Sequence, residues 1–446
     1  MLTIHTASDA VRHGRLSPLQ LLDNCLDRID RYEASVRAWV FVDRDEARAQ
    51  AEALTAEVRQ GRWRGPLHGI PIGVKDIYDV FDWPTAAGSR LWAQSIARRD
   101  ATVVDRLRRA GAVFLGKTET TQYASFDPSP TRNPWNRERT PGGSSSGSAA
   151  ALACGMCLGA LGSQTGGSIT RPASYCGVAG CKPTWGRVST DGVVPLAQPL
   201  DHPGPMATCV RDLAILLQCM AGYDPRDPSC SSRPVPDLLA RLGGELKPPR
   251  LARLRGHFED LAEPVMRQLL DQVSEKLQRQ AAVVTDVALP AAFAEVVPRH
   301  RTIMAVEAAA FHAPRLARHP DDYAPKIRQL LEEGLACPGP EYARCKEHQA
   351  QLSAAMVRCF EGVDALLTPA TTGPAPDMKT TGDPAFNSPW SYTGLPTVSI
   401  LAGWNADGLP LAIQLVGPPW SEADLLATAA WCEEILNVPK MEPPLV

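Results

Sequence analysis

Helical periodicity dominates the first sixty residues of the chain. Ser17 precedes a proline and Gln20 follows three residues later, a pattern typical of a capped helix N-terminus. Apolar residues then recur in steps of three and four, at Leu19, Leu22, Leu26 and Ile29. A second helix is predicted over Asp43–Arg59. We therefore expect a helical N-terminal part over residues 1–62.

From residue 67 onward, short apolar runs alternate with amphipathic stretches. A strand pattern ends at Lys75, a helix is predicted over Thr102–Ala112, and a second strand over Val113–Lys117. This alternation is typical of a layered α/β fold with a largely parallel sheet. The small apolar residues of Ala149–Gly162 predict a buried helix.

The second half of the chain is less regular. Residues 223–250 are rich in proline and aspartate and predict a surface loop, and residues 368–389 predict another. Helices are predicted over Val265–Gln280 and Ala324–Gly334. The C-terminal part predicts two strands, a hairpin turn between them and a last helix with Ser421 as N-cap, over Pro396–Leu401, Leu411–Val416, Asn405–Gly408 and Ser421–Leu436.

Composition and charge narrow the class of protein. The 446 residues are 44% hydrophobic and 21% charged, which is typical of a globular protein. The net charge of −3 provides no basic field for nucleic acid or anionic lipid, so we expect neither as a partner. The N-terminal residues do not resemble a signal peptide, and no apolar stretch is long enough to span a membrane. A cytoplasmic location is the resulting expectation.

Metal-binding motifs are weak in this sequence. The 12 cysteines are expected to be reduced thiols. Cys154 and Cys157 form a C-x-x-C pattern with no second copy, and we interpret them as buried core residues. None of the histidines forms H-E-x-x-H, so a metal enzyme is disfavoured.

A glycine-rich stretch between residues 141 and 171 carries the candidate chemistry. It places Ser144 and Ser168 in glycine-rich turns, where the backbone can approach a ligand and point N–H groups at it. A serine in such a turn can act as a nucleophile beside its own oxyanion hole. A phosphate-binding loop is the alternative, but no lysine follows the second glycine as that motif requires.

The base that would activate such a serine is left open by the residues themselves. His68 and His202 are ambiguous, and a structural role is the better interpretation of His68. Lys75 ends an apolar strand, so burial could lower its pKa and allow it to accept a proton. The alternative is a surface lysine at the end of a strand.

An ordered set of motifs resembles the amidase signature family of serine hydrolases. The set runs through most of the chain except residues 215–365, and its main members are Leu67–Asp76, Gly116–Thr118, Asn133–Asn136, Pro141–Ser145, Gly162–Ile169, Leu200–Met206, Thr393–Pro396 and Gly408–Gly417. The resemblance implies one α/β/α domain over residues 1–446 with a central mixed β-sheet flanked by helices. Its parts would be the helical residues 1–62, a signature core over 65–215, a variable helical substrate-pocket region over 220–365 and C-terminal strands and helix over 366–446.

The same resemblance implies a catalytic triad. Ser168 would be the nucleophile that forms the acyl-enzyme, and Ser144 would relay its proton to a neutral Lys75. In the family, the peptide bond between Gly143 and this bridging serine is cis. Ser145 matches an accessory serine that orients Ser144 or Lys75.

The family's oxyanion hole also has a counterpart in this sequence. It would consist of the backbone N–H groups of Thr165, Gly166, Gly167 and Ser168.

Two departures from the family pattern bear on the site. Gln164 stands where aspartate is usual, and we expect a changed hydrogen bond without loss of activity. Thr170 stands where arginine is usual, and the arginine follows as Arg171. At that position Arg171 could bind a substrate carboxylate, as in a subset of the family, or it could pair with a local aspartate or the backbone.

Substrate-binding candidates come from three regions, the variable region over roughly residues 300–350, the loop over residues 371–390 and the segment Gln122–Phe126, and include apolar and aromatic side chains. Gln122 and Tyr123 are the first candidates, and further candidate walls are Phe126, Met304, Phe386, Trp390 and Tyr392. An aromatic wall would suit aryl amides, anilides or aryl carbamates, whereas Arg171 would suit a small acid amide.

The resemblance thus implies hydrolysis of a C–N bond in a small-molecule amide, or in a related carbamate, urea or ester. No metal or organic cofactor is implied. Two alternatives remain: a glutaminase subunit of a tRNA-dependent amidotransferase, and a hydrolase of carboxylated ureas or malonamates that reads the substrate acid with Arg171. The sequence leaves open whether the protein forms a homodimer and whether it needs a small partner chain.

Overall fold

A computed structural model describes residues 2–444 of the chain. Over those residues, eleven strands form one mixed sheet. The strands are β1 (Trp39–Val42), β2 (Pro71–Lys75), β3 (Val113–Thr118), β4 (Gly159–Gln164), β5 (Ala179–Lys182), β6 (His202–Ala207), β7 (Arg250–Leu254), β8 (Val283–Val287), β9 (Ala365–Pro369), β10 (Thr397–Trp404) and β11 (Pro410–Val416).

Helices flank this sheet. They are α1 (Ile4–Arg12), α2 (Pro18–Val36), α3 (Arg44–Arg59), α4 (Thr102–Arg109), α5 (Ser146–Ala153), α6 (Thr170–Cys176), α7 (Val210–Met220), α8 (His257–Asp260), α9 (Pro264–Arg279), α10 (Val296–Arg318), α11 (Pro325–Ala336), α12 (Gly339–Met356), α13 (Ser388–Tyr392) and α14 (Glu422–Leu436). Within the described residues, none of these helices combines the length and apolar character that crossing a bilayer requires.

The strand order is β1-β3-β2-β4-β6-β5-β10-β11-β9-β7-β8. β2 runs parallel to β3 and β4, and β7 runs parallel to β8 and β9, while the other neighbouring pairs are antiparallel. The expected α/β/α class with a mixed central sheet is confirmed. The alternation of β2, α4 and β3 correctly predicted one parallel unit, but a largely parallel sheet was wrong because β5, β6, β10 and β11 pair antiparallel.

The N-terminal part is helical with one interruption. The Ser17 hydroxyl accepts the Gln20 N–H and the Gln20 side chain accepts the Ser17 N–H, so the predicted capping box is confirmed. Asp43 caps α3. The two predicted helices are present, but the expectation of a purely helical part over residues 1–62 missed β1, which lies between them and pairs antiparallel with β3. Four residues are too few to establish a strand period between two helices.

The predicted helix over Ala149–Gly162 was wrong in its second half. The helix ends at Ala153, Gly155 adopts φ +68°, and the chain continues into β4. All six residues of β4 are buried, and the first four, residues 159–162, are apolar or glycine without alternation. Such a run cannot be distinguished from a buried helix by its periodicity.

The remaining sequence predictions hold with shifted boundaries. The hairpin of β10 and β11 is confirmed, and α9 and α11 lie where helices were expected. The loop predicted over residues 368–389 contains the end of β9 and the start of α13. Ser421 precedes α14, but its hydroxyl donates to the Pro418 carbonyl and accepts no N–H from the helix, so the predicted side-chain cap was wrong.

A buried ion pair joins the ends of β2 and β3. Lys117 Nζ lies 2.8 Å from Asp76 Oδ1, and both side chains are almost fully buried. Lys117 also donates to the Pro84 carbonyl and to the Thr85 hydroxyl. The pair therefore fixes the segment that follows Lys75 against the neighbouring strand.

Replacing one member of this pair should destabilise the fold strongly. Lys117→Met leaves the buried Asp76 carboxylate without its cation, and we expect the free energy of unfolding to fall by about 3–5 kcal/mol. Urea unfolding of the purified variant measures the change. The double variant Lys117→Met/Asp76→Asn should recover part of the loss, because no buried charge is then left unpaired. An unchanged unfolding midpoint in Lys117→Met would refute this role.

Candidate active site

Lys75 lies at the end of β2 with its amine fully buried. Its Nζ lies 2.7 Å from Ser144 Oγ and 2.8 Å from Ser163 Oγ. Burial lowers the pKa of Lys75 well below that of an ordinary lysine, and the negative charge of Asp201 only partly opposes this. Because the charged form is disfavoured, the amine can be neutral and can accept a proton near neutral pH.

The structure brings the loops that carry Ser144 and Ser168 into contact. Ser144 follows a cis peptide bond from Gly143, as the resemblance implies. The Ser145 N–H donates to the Ser168 carbonyl at 3.3 Å and ties the two serine loops together. The Ser168 hydroxyl makes no hydrogen bond with the described residues. Ser168 is 6% exposed, whereas Ser144 and Lys75 are fully buried, so Ser168 is the member of the three nearest to solvent.

The loop between β4 and α6 leaves backbone donors free. Gln164 Oε1 accepts the N–H groups of Ile169 and Thr170, each at 3.0 Å, and closes the loop. In the described part of the chain, no acceptor takes the N–H groups of residues 165–168. An added Cβ at Gly167, which has φ +148°, would lie 2.7 Å from Arg171 Nη1. Only glycine fits there, so the backbone stays open to a ligand.

Ser145, Ser163 and His300 hold the loops around Lys75 and Thr165 in place. The sequence pointed to Ser145 but not to Ser163 or His300. Ser145 Oγ donates to the Ser163 carbonyl and accepts the Ser163 N–H, so Ser145 acts on Lys75 through Ser163. His300 Nε2 lies 2.8 Å from the Thr165 carbonyl oxygen, which can only accept, so Nε2 carries the proton.

Burial lowers the pKa of His300 to about 4, which keeps the ring neutral. The glycine-rich motif could have pointed to Ser163, whereas no local signal marks His300 in α10.

The two histidines considered as bases, His68 and His202, contact backbone carbonyls and form no hydrogen bond with Ser144 or Ser168 among the described residues. His68 Nε2 contacts the Leu54 carbonyl at 2.9 Å, in keeping with a structural role. His202 Nδ1 contacts the carbonyls of Leu200 and Gln164 at 2.6 and 3.2 Å. Burial lowers the pKa of His202 well below its usual value, so its ring is neutral.

Comparison with known proteins decides the family. The Amidase family model matches residues 20–426 of the chain. The chain belongs to the amidase signature family. It is accordingly a hydrolase that acts on carbon–nitrogen bonds other than peptide bonds.

Relatives of this amidase include enzymes and a component of a larger complex. An amidase of Pseudomonas putida is 36% identical over 100% of this chain and 98% of the relative. One subunit of the glutamyl-tRNA(Gln) amidotransferase of Roseiflexus castenholzii is 36% identical over 95% of this chain and 94% of the relative. The native peptide amidase from Stenotrophomonas maltophilia has a solved structure that aligns with a TM-score of 0.87 at 31% identity, over 99% of this chain and 98% of that one.

Arg171 of the amidase is fully buried in α6. Its Nε donates to the Thr381 carbonyl at 2.6 Å, and its Nη2 donates to the Gly143 carbonyl at 2.9 Å. Within the described residues Nη1 has no hydrogen-bond partner. Two of the three guanidinium nitrogens therefore bond the backbone, which is the second of the two roles that the sequence left open.

Gln122 and Tyr123 both bind the turn around Asp322. Gln122 Oε1 accepts the Ala324 N–H at 2.7 Å, and its Nε2 donates to the Asp322 carbonyl. The Tyr123 hydroxyl donates to Asp322 Oδ2 at 2.8 Å. These contacts attach the N-terminal half of the site to the segment between α10 and α11.

Most of the aromatic residues expected as pocket walls are core residues. Trp390 stacks on Phe258 with ring centroids 5.6 Å apart and is fully buried. Tyr392 hydrogen-bonds the backbone of α12 through the Cys345 carbonyl. Their spacing in the sequence could not show this, because a buried aromatic and a pocket aromatic have the same local pattern.

One group of potential metal ligands lies far from the triad in sequence. His5, Cys209 and Asp212 place ligand atoms within 4.8 Å of one another. The Asp212 carboxylate accepts the N–H groups of Ile4 and His5, so it caps the start of α1.

The protonation of Lys75 should set the pH dependence of the amidase. Because the lysine must be neutral to accept a proton and its pKa is lowered, kcat/KM should rise with pH and level off well below pH 10.5, the ordinary lysine pKa. Lys75→Met should lower kcat/KM by about 10²–10⁴-fold, the usual contribution of a general base. Initial rates between pH 5 and 11 test both expectations. A rising limb near pH 10.5, or a nearly normal rate in the variant, would place the base elsewhere.

The two roles of Arg171 predict different kinetics. If its guanidinium positions the Gly143 and Thr381 carbonyls, Arg171→Ala should lower kcat for neutral and acidic amides alike, by about 10–100-fold. Arg171→Lys keeps the charge but loses the planar set of guanidinium N–H donors, and it serves as the matched control. Steady-state measurements of kcat and KM with neutral and acidic amides distinguish the two roles. An increase in KM confined to acidic amides would instead assign Arg171 to a substrate carboxylate.

Proposed function

We propose that this protein is an amidase that cleaves a small-molecule amide through an acyl-enzyme on Ser168. The observation that carries the proposal is the 2.7 Å contact between a fully buried Lys75 amine and the Ser144 hydroxyl. Ser168, which lies in the adjoining loop and retains some exposure, is the group best placed to meet a substrate. The family membership of the chain supports the same chemistry.

The proposed acylation moves one proton through the bridging serine. Neutral Lys75 accepts the Ser144 proton while Ser144 accepts the proton of Ser168, and Ser168 Oγ attacks the amide carbonyl carbon. The tetrahedral intermediate collapses when the C–N bond breaks, and the relay returns a proton to the leaving nitrogen. Water then attacks the acyl-enzyme by the same route and releases the acid.

The oxyanion of that intermediate would be held by the backbone. The N–H groups of Thr165, Gly166, Gly167 and Ser168 have no acceptor among the described residues and are proposed as the oxyanion hole. A donor of this type contributes about 10²–10³-fold to the rate in serine hydrolases. His300 and Gln164 are proposed as positioning residues, since they fix the two ends of this loop.

Carbamates, ureas and esters could use the same steps, because each presents a carbonyl carbon and a leaving group to Ser168. A second candidate function is supported by the similarity to a glutamyl-tRNA(Gln) amidotransferase component. In that case the protein would hydrolyse glutamine only together with partner chains. Activity of the isolated chain on simple amides favours the first function, and glutaminase activity that requires partners favours the second. A cytoplasmic location remains part of the proposal.

Removal of the nucleophile should abolish turnover. Ser168→Ala is expected to lower kcat by at least about 10⁴-fold, since loss of the nucleophile disables the whole triad. A fluorophosphonate probe should modify the wild-type protein at Ser168 and leave the variant unmodified, and mass spectrometry detects the modification. Ser95→Ala, at an exposed serine, is the matched control and should behave as wild type. Retained turnover or retained labelling in Ser168→Ala would contradict the assignment.

A further inference from the structure

A cavity of about 230 Å³ adjoins the triad. Ser163 and Thr165, at the end of β4, form part of its lining. The Ser163 hydroxyl is the second acceptor of the Lys75 amine, and the Thr165 N–H belongs to the proposed oxyanion hole. The cavity therefore begins one side chain away from the groups that would act on the scissile bond.

The walls of this cavity are mainly apolar. They include Ile77, Ala124, Val193, Pro195, Leu196 and Phe311. Most of these lie in or beside the core, whereas Phe311 of α10 is 45% exposed. An exposed phenylalanine beside an apolar cavity provides a surface that an apolar substrate group could cover.

The wall over residues 193–196 is held by specific contacts. The Asp201 carboxylate accepts the N–H groups of Leu196 and Ala197 at 3.0 and 3.1 Å and a hydrogen bond from the Thr165 hydroxyl. The Val194 N–H donates to the Ile77 carbonyl at 2.8 Å. Because these bonds tie the wall to β4 and to the end of β2, the cavity is a built feature of the active site.

Charge decides which substituent this cavity accepts. Asp201 is its one ionisable lining residue, and the lining taken from the described chain contains no lysine, arginine or histidine. Arg171, the arginine that could read a carboxylate, bonds Gly143 and Thr381 and does not line the cavity. A substrate carboxylate would lose its hydration here without gaining a cation, which is costly.

A cationic substituent is also poorly served by this lining. Both oxygens of Asp201 already accept hydrogen bonds from the wall and from Thr165. The volume suits a compact group, since an apolar cavity of about 150 Å³ holds a benzene molecule.

We propose that this cavity binds an uncharged apolar substituent of the amide, the size of a phenyl ring or a short alkyl chain. This inference rests on the proposed function. Of the two substrate classes considered, neutral amides and amides that carry a carboxylate, it favours the neutral amides. Phe311 covers the outer end of the bound group, and Leu196 with Val193 contacts its sides.

A panel of matched amides tests the inference on the wild-type protein. Pentanamide, glutaric acid monoamide and 5-aminopentanamide have similar length and differ in charge, and phenylacetamide adds a ring. We expect kcat/KM for pentanamide and phenylacetamide to exceed that for both charged amides by at least about 100-fold. Preference for either charged amide would overturn the inference while leaving the amidase function intact. Failure to hydrolyse all four would overturn both.

Two variants locate the effect in the cavity. Phe311→Ala should raise KM for phenylacetamide by about tenfold more than it raises KM for acetamide, which lacks the group that the cavity holds. Phe81→Ala, at an exposed phenylalanine outside the cavity, is the matched control. Val193→Arg supplies the missing cation and should shift the kcat/KM ratio at least tenfold toward glutaric acid monoamide. An equal loss on phenylacetamide and acetamide in Phe311→Ala, or an unchanged ratio in Val193→Arg, would refute the assignment.

Discussion

The structure of the site depends on the burial of one amine. Lys75 is enclosed at the end of a strand that is buried on both faces, and its Nζ contacts two serine hydroxyls. A charged ammonium in this place would lack a directly contacting carboxylate, so desolvation favours the neutral form. In the proposed mechanism, a lysine takes the task that histidine performs in many serine hydrolases, and complete enclosure is what makes its amine neutral.

Enclosing Lys75 requires the surrounding loops to be held by backbone contacts. Ser145 fastens the serine loop to β4, Gln164 closes the turn after β4, and Arg171 bonds carbonyls from two different loops. Gln164 replaces the usual aspartate in this role, since its single amide oxygen accepts the N–H groups of both Ile169 and Thr170. The departures from the family pattern thus lie in groups that shape the loops around the reacting serines.

The region between β8 and β9 completes the site although the family motifs are absent from it. His300 of α10 reaches the carbonyl of Thr165, the turn at Asp322 receives the side chains of Gln122 and Tyr123, and Phe311 borders the cavity beside the triad. A segment that touches both the proposed oxyanion loop and the proposed substrate cavity can change specificity while the motif residues stay the same.

The sequence by itself determined the local features of this protein. A capping box located the start of α2, and an apolar run that ends at Lys75 located β2, because these signals are carried by neighbouring residues. The glycine-rich turns pointed to candidate serines, and the family resemblance supplied the assignment of Ser168, Ser144 and Lys75 that remains a proposal. β1 and β4 escaped prediction because a short strand, or one buried on both faces, has no alternating pattern.

Only the tertiary structure decided which side chains meet across the sheet and the loops. Ser163, His300 and Phe311 come to the site from distant parts of the chain, whereas Trp390 and Tyr392 pack into the core. Burial and hydrogen-bond partners are set by long-range packing, which local sequence patterns do not encode. The physical role of the lysine was open in the sequence for the same reason: its protonation depends on enclosure, and enclosure exists only once the whole fold has formed.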